Sequence, residues 1–254
     1  MKDYFKYRYS TDIDFNLNTG DHLTILGNSE DFFVDTLLNK NDKCNIFIGD
    51  KEYTVDNKYY IRKLMSVVMY KHLNVFVGET VMDEIAFGLE SLAYKKDDIT
   101  SLITSMSRRF KIDHLLLKDP NSLGSSDKVK MKIMSALIIK PNVLVLDNVL
   151  CELDYSDKLL VFDILKEYTK NEGVVINVTS DIEEALESNK IIILHDNKLA
   201  CEGKTMSVLN EEKLLKRLGI GLPFIIELNK YFMDYGIINK YQLTDEKLVN
   251  ALWK

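Results

Sequence analysis

The stretch from Ser122 to Asp154 combines residue types that could bind and hydrolyse a nucleotide. Gly124-Ser125-Ser126 is a loop of small residues that opens a helical stretch, and such a helix start binds phosphate through its free amides. The buried strand Val143–Leu146 then ends at Asp147, the position at which many NTPases hold Mg²⁺. These two features predict half of a nucleotide site.

A second phosphate-type unit lies near the N-terminus. His22–Leu26 reads as a short apolar strand, Gly27 opens a loop, and Asp31–Asn39 can continue as a helix. Strand, glycine and helix in this order are the layout of a phosphate-binding βα unit. The two stretches together point to nucleotide chemistry.

Composition excludes several other classes of function. The 254 residues are 46% hydrophobic and 28% charged, with a net charge of −6, so no general affinity for nucleic acid or anionic lipid is expected. The scattered Cys44, Cys151 and Cys201 are typical of a reducing cytoplasm. No apolar run reaches about 18 residues, and the start lacks a signal-peptide core. We therefore expect a cytosolic protein that could still dock on a membrane complex.

The elements that must position these residues alternate between strand and helix. This alternation predicts an α/β fold with a mainly parallel sheet and helices on both faces, interrupted by a helical insert and followed by a helical tail. The predicted strands are a pair within 4–17, His22–Leu26, a hairpin within 44–55, Met65–Met69, Val143–Leu146, Val174–Val178, Ile191–His195 and Lys198–Ala200. The predicted helices are one from Thr80 with Val81, Ile85 and Leu89 on one face, 97–110, 112–118, one starting at Ile182–Leu186, and those of the tail from about 207.

Other catalytic chemistry finds little support in the sequence. His22, His72, His114 and His195 are scattered and lack the spacing of metal ligands. We expect His72 and His114 on the surface. The sequence has no G-x-S-x-G motif of a hydrolase nucleophile.

Two stretches resemble a known family. Asn74–Glu90, NVFVGETVMDEIAFGLE, and the tail from GLPF at 221–224 to LTDEKLVNALW at 243–253 are similar to segments of the ATP-binding-cassette (ABC) ATPase subunits of energy-coupling-factor (ECF) vitamin transporters. The resemblance implies an ABC-type nucleotide-binding domain over 1–206, with a RecA-like sheet core, an antiparallel β subdomain and a helical insert at about 78–140. It implies a C-terminal helical dimerisation segment over 207–254.

The resemblance also implies how such a chain works. ABC ATPases form dimers on the cytoplasmic face of a membrane protein and sandwich two nucleotides, each between one subunit's phosphate loop and the other's signature loop. Closing and reopening of the sandwich drives the membrane subunits.

The phosphate loop of this chain, 27–35, departs from the family's G-x-x-x-x-G-K-[ST] pattern. Gly27 is retained, but Phe32 stands for the second glycine, Phe33 for the lysine and Val34 for the hydroxyl residue. Phe32 adds a side chain where the backbone must approach the phosphate.

Glu30 and Asp31 add carboxylates to the same loop, and like charges at about 4 Å cost roughly 1–4 kcal/mol. The residue that would stack on adenine aligns best with Tyr9. We therefore expect no nucleotide to be bound by this loop.

The catalytic positions of the family are substituted as well. Tyr70 aligns with the Q-loop glutamine, Asn148 with the catalytic glutamate and Ser180 with the switch histidine. An amide cannot accept a proton from the attacking water. The strand-end Asp147 and the D-loop Asp154 are retained. With several elements altered at once, hydrolysis by this chain should be negligible.

The signature loop is changed but keeps its small residues. The family pattern L-S-G-G-Q reads Leu123-Gly124-Ser125-Ser126-Asp127 here. The loop could still offer amides and hydroxyls to a partner's phosphate, or Asp127 could simply favour the first turn of its helix. Both interpretations remain open.

The resemblance predicts a degenerate, pseudo-ATPase subunit of an ECF-type transporter at the cytoplasmic face of the membrane. It would pair with a competent ATPase and a transmembrane coupling subunit, with ATP and Mg²⁺ at most at a composite site. Two alternatives stay open: a scaffold or regulatory homodimer outside transport, because a fold does not fix a function, and an ATPase with unorthodox residues. The transported substrate is chosen by a separate subunit in the resembled family.

Overall fold

Two sheets organise the strands of the computed structural model, which describes residues 3–38, 43–54 and 56–253. The larger sheet has six strands in the order β10-β9-β3-β8-β7-β6, and the smaller one has four in the order β2-β1-β4-β5. The strands are β1 (Asp3–Tyr9), β2 (Ile13–Asn18), β3 (His22–Gly27), β4 (Cys44–Ile48), β5 (Lys51–Glu52), β6 (Met65–Met69), β7 (Val143–Asp147), β8 (Val174–Val178), β9 (Lys190–His195) and β10 (Lys198–Lys204).

Helices cover both faces of the larger sheet. They are α1 (Glu30–Leu38), α2 (Lys58–Leu64), α3 (Val81–Ser91), α4 (Lys96–Arg109), α5 (Ser125–Ile138), α6 (Tyr155–Lys170), α7 (Thr205–Leu209), α8 (Glu212–Arg217), α9 (Phe224–Asp234) and α10 (Asp245–Leu252). No helix among the residues described here is long and apolar enough to cross a membrane.

The larger sheet is parallel except for its last pair. β3 pairs with β8 and β9, and β7 pairs with β6 and β8, all in parallel, whereas β9 and β10 are antiparallel. All residues of β7 and β8 are buried, as expected for parallel strands covered on both faces. The register places Asp147 opposite Val178 and Ile25 opposite Val178. The carboxyl ends of β3, β7 and β8 therefore meet at one edge, where ligands of α/β proteins bind.

The helical insert packs through the predicted face of α3. Val81, Ile85 and Leu89 are fully buried, and the helix starts at a capping box made by Thr80 and Asp83. The three buried side chains belong to a core cluster that also contains residues of α4, α5 and β7. The 3.6-residue period seen in the sequence is thus a true packing face.

Two of the predicted α-helices are 3₁₀ segments in the structure, and tertiary contacts account for both. The 112–118 stretch holds only a 3₁₀ turn, Asp113–Leu115, because the carbonyls of Leu116 and Lys118 accept the first amides of α3. The stretch at Ile182 is a 3₁₀ helix, Ile182–Glu187, whose buried Glu184 bonds with β8 and α6. Asn39, the last residue of the predicted first helix, lies outside the described part of the chain.

The C-terminal helices pack onto the same sheet. Leu209, Ile226 and Leu248 from these helices share a core cluster with β3 and β9. The predicted boundary between residues 206 and 207 falls inside α7. The helical tail is therefore continuous with the core of the rest of the chain.

His22 predicts a pH dependence of stability. Its side chain is 5% exposed, and burial, helped by the nearby Lys166, lowers its pKa to about 4. An unfolded histidine has a pKa of about 6.5, so its contribution is complete above pH 6.5 and is lost as the pH falls toward 4. The loss should reach about 3 kcal/mol.

Urea unfolding of the wild type and of His22→Leu between pH 4 and 7.5 measures this term. The variant should lose less stability on acidification than the wild type, while His114→Gln, at an exposed histidine, should follow the wild type. Equal pH slopes for all three proteins would show that His22 does not titrate as stated.

Candidate functional site

The connection from β3 to α1 is too short to form a phosphate-binding loop. β3 ends at Gly27 and α1 begins at Glu30, so only Asn28 and Ser29 lie between them. Most of the predicted loop, 27–35, is therefore helix.

The two connecting residues are bonded to the turn between β9 and β10. The Asn28 amide donates to the Asp196 carboxylate at 3.1 Å and accepts from the Asp196 backbone N–H at 2.9 Å. The Asn197 N–H donates to the Ser29 hydroxyl at 2.9 Å. The side chains of both connecting residues are thus hydrogen-bonded within the chain.

Gly27 has a structural reason to be glycine. Its φ is +128°, and a Cβ built on it would lie 1.8 Å from the carbonyl oxygen of Leu194 on β9. Only glycine permits both this backbone conformation and such a close approach. Its retention therefore does not require a phosphate ligand.

An aromatic cluster, defined as Tyr7, Tyr9, Phe15, Phe32 and Phe33, fills the space next to α1. Phe33 is 0% exposed and packs edge-on against Tyr7 at 4.9 Å and near Phe15 at 5.9 Å between ring centroids. Tyr9 packs edge-on against Phe32 at 4.8 Å. Such aromatic pairs stabilise beyond their buried area.

The lysine and hydroxyl positions of the phosphate loop therefore point into the core. Phe33 and Val34 are both buried, and Tyr9, at the adenine-stacking position, has its contact with Phe32. The side chain of Glu30 lies outside the described part of the structure. The residues present do not fit a Mg²⁺-bound triphosphate between β3 and α1.

The edge around Asp147 is acidic. Asp147 is 7% exposed, and burial and the nearby Asp31 raise its pKa, against the smaller opposing effects of Lys71 and Asn148. Asp35 also raises it. A negative edge repels a phosphate group rather than attracting it.

The remaining catalytic positions lie at the same end of the sheet but carry other side chains. Asn148 follows Asp147 with a φ of +51°, and its N–H donates to the Val178 carbonyl at 2.9 Å. Tyr70 is exposed in a 3₁₀ turn after β6. Ser180 is exposed after β8. None of these three side chains is a carboxylate or an imidazole that could act as a base on water.

The signature loop is engaged within its own chain. Leu123 is buried, and Gly124 is the N-cap of α5 without a side-chain cap. The Ser126 hydroxyl donates to an Asp157 oxygen at 2.6 Å, and Asp127 lies 3.0 Å from the Lys130 ammonium. Gly124 and Ser125 are exposed.

The retained Asp154 caps a helix. It is the exposed N-cap of α6 and accepts from the Asp157 N–H at 2.9 Å and from the Ser156 hydroxyl at 3.0 Å. The bond from the Asp157 N–H, followed by that from Ser156, lowers the pKa of Asp154. An acid at this position is favourable for the helix alone.

Two ion-pair networks of the site were missed by sequence reasoning. Lys130 lies between Asp127 and Asp157, and Lys158 lies between Asp181 and the buried Glu184. The i, i+3 spacing of Asp127 and Lys130 could have indicated the first contact. The pairing with Asp157 joins two separate helices and has no local signal.

No group of three or more His, Cys, Asp or Glu side chains in the part of the chain described here is placed to hold a metal ion. His72 and His114 are exposed, as predicted.

Comparison with known proteins finds relatives that share one protein name. No family model matches the chain. It is 30% identical to the energy-coupling factor transporter ATP-binding protein EcfA1 of Halalkalibacterium halodurans over 195 residues, 76% of this chain and 70% of the relative. It is 28% identical to EcfA1 of Mycoplasmopsis synoviae over an alignment of 262 positions that covers 98% of this chain and 97% of the relative.

Solved structures share the fold. The chain matches cbiO1 of Clostridium perfringens, described as part of the ABC transporter complex cbiONQ, with a TM-score of 0.72 and 21% identity, over 90% of this chain and all of that one. An ATP-binding subunit of an ABC transporter matches with a TM-score of 0.73 and 14% identity, over 85% of this chain and 97% of that one. These matches confirm the predicted fold class.

Restoring the motif residues should destabilise the protein rather than create a site. Phe33→Lys with Val34→Ser would place an ammonium in the aromatic cluster, and we expect a loss of at least about 3 kcal/mol in the free energy of unfolding. Denaturant unfolding measures it. Phe33→Leu, which keeps an apolar side chain, should cost less. A stable double variant that binds Mg-ATP at micromolar concentration would contradict the packing described.

Proposed function

Because the chain belongs to the family of energy-coupling factor transporter ATP-binding proteins, we propose that it is a transporter subunit that does not itself hydrolyse ATP. It pairs with a competent ATPase of the same family, completes the dimer and transmits the partner's closure to a transmembrane subunit. Mg²⁺ and ATP, where present, are held by the partner's phosphate loop.

One observation carries this proposal: the phosphate-binding segment is replaced by packed helix. α1 begins at Glu30, and Phe33 and Val34 are buried where a lysine and a hydroxyl would meet the phosphates. The changes at Asn148 and Ser180 agree with it. Loss of even one good electrostatic contact costs about 10²–10³ in rate, although such losses need not add.

The face that would meet the partner ATPase combines polar and apolar groups. Gly124 and Ser125 are exposed at the start of α5. Next to the α6 cap, Tyr155 is 76% exposed and Leu159 is also exposed. These two residues are four apart and share one side of α6. An unpartnered apolar pair beside the D-loop position supports pairing through this face.

The surface that would meet the transmembrane subunit follows the edge strand β6. A groove of about 440 Å³ runs between this strand and α3 and α5, lined by Val67, Gly88 and Ser135 among others. Beside it, Val75 and Val77 are exposed. An open sheet edge next to exposed apolar groups is suited to binding another chain. The protein would then sit peripherally at the cytoplasmic face of the membrane.

The helical tail contributes a further surface. Phe224 and Tyr231 lie seven residues apart on α9, and both are exposed, as is Trp253 after α10. The spacing places the first two on one side of the helix. We propose that this segment, 207–254, adds to the dimer contact.

Co-expression with an ECF-type ATPase and the transmembrane subunit from the same organism tests the proposal. An affinity tag on this chain should recover both partners in a stable complex. Tyr155→Asp should release the ATPase and keep the membrane subunit, whereas Val75→Asp with Val77→Asp should do the reverse, so that each variant controls for the other. A homodimer that recovers neither partner would favour a scaffold outside transport.

A further inference from the structure

Lys130 is a buried cation enclosed by carboxylates. It lies on α5, its side chain is 6% exposed, and its ammonium is 2.7 Å from an Asp157 oxygen and 3.0 Å from an Asp127 oxygen. Burial alone would lower the pKa of Lys130, but the bonds to Asp157 and Asp127 raise it above the ordinary lysine value. Lys130 is thus a fully charged link.

This link joins the signature loop to the first turn of α6, next to the D-loop position. Asp127 belongs to the signature loop, and Asp157 lies in the first turn of α6. The Ser126 hydroxyl donates to the same Asp157 oxygen at 2.6 Å. The Asp157 N–H in turn donates to Asp154 at 2.9 Å. A continuous chain of bonds therefore runs from the signature loop to the D-loop position.

The network depends on the cation. Asp157 has a side-chain exposure of 16%, so without Lys130 a partly buried carboxylate would lose its counter-charge and face Asp127. Breaking one partner of a buried pair is strongly unfavourable because the other charge stays buried and uncompensated. The two loops would then separate or loosen.

Two of the four residues that depart from the signature pattern, Ser126 and Asp127, take part in this network. Ser126 donates a hydrogen bond to Asp157, and Asp127 forms an ion pair with Lys130 of the same chain. Gly124, Ser125 and Asp154 are left exposed. The side chains of Ser126 and Asp127 thus make contacts that fix the loop within its own chain.

We propose that Lys130 is a positioning residue that holds the 123–127 loop and the 154–157 turn together as one rigid surface for the partner ATPase. This role rests on the proposed function, since it requires that the surface meets a partner. Lys130 touches no nucleotide and acts only through Asp127 and Asp157.

Hydrogen exchange of the chain alone tests the link without any partner. In Lys130→Met, amides in peptides covering 123–131 and 152–160 should exchange at least about tenfold faster than in the wild type. Lys130→Arg should restore slow exchange. Lys128→Met is the matched control, because Lys128 lies on the same helix and bonds Asn74 instead, at 2.9 Å. If Lys130→Met does not fold, Asp157→Asn supplies the same comparison.

ATP turnover of the co-expressed complex tests the role. For Lys130→Met, kcat should fall at least about tenfold while the KM for ATP stays within about threefold, because the partner's phosphate loop binds the nucleotide. Lys130→Arg should keep at least about half of the activity, and Lys128→Met should match the wild type.

Three results would overturn the proposal, and they are distinguishable. Unchanged hydrogen exchange in Lys130→Met would show that Lys130 does not hold the two segments together. Faster exchange with unchanged turnover leaves Lys130 a structural residue only. A wild-type chain that assembles with no ATPase rejects the proposed function, and this role of Lys130 with it, whatever the exchange shows.

Discussion

The packing of Phe33 against Tyr7 and Phe15 is the contact on which the rest of the site depends. It places an aromatic ring from α1 against the small antiparallel sheet. For that ring to reach the sheet, α1 must begin almost directly after β3, and the connection is reduced to Asn28 and Ser29. Two residues are too few for an extended loop of free amides, and the Asn28 N–H already donates to the Leu194 carbonyl at 3.1 Å. Under the proposed function, burial of the Phe33 ring is what prevents a nucleotide from binding at this strand end.

Motif residues that persist in this chain have structural reasons to do so. Gly27 lies against the backbone of Leu194, and Asp154 caps α6. Removing either would cost stability, because a Cβ would clash in the first case and helix amides would lose an acceptor in the second. Positions 33, 70, 148 and 180, to which the family resemblance assigns only chemistry, carry Phe, Tyr, Asn and Ser. Positions retained by the fold therefore cannot by themselves be taken as signs of catalysis.

Much of the architecture could be predicted from the sequence because its signals are local. The apolar run Val143–Leu146 predicts a buried parallel strand, and the spacing of Val81, Ile85 and Leu89 predicts a helix face. Both are confirmed. That the phosphate loop is substituted at Phe33 and Val34 stays a prediction from the family resemblance.

What the sequence did not reveal depends on contacts between distant segments. The turn at Asp113–Leu115 depends on carbonyls that accept the first amides of α3, an element distant from that turn in the sequence. The Lys130 network joins residues of α5 and α6 that are distant from each other in the sequence. No local pattern indicates such pairings, since periodicity and propensity describe one element at a time.

The number of nucleotides bound by the assembled dimer shows whether the phosphate loop of this chain is empty. Titration of ATP with Mg²⁺ into this chain alone, and into its complex with a competent ATPase whose hydrolysis has been blocked, would be followed by calorimetry. We expect no saturable binding by the isolated chain and one nucleotide per heterodimer. Two nucleotides per heterodimer, or tight binding by the isolated chain that is lost in Asp147→Asn, would contradict it.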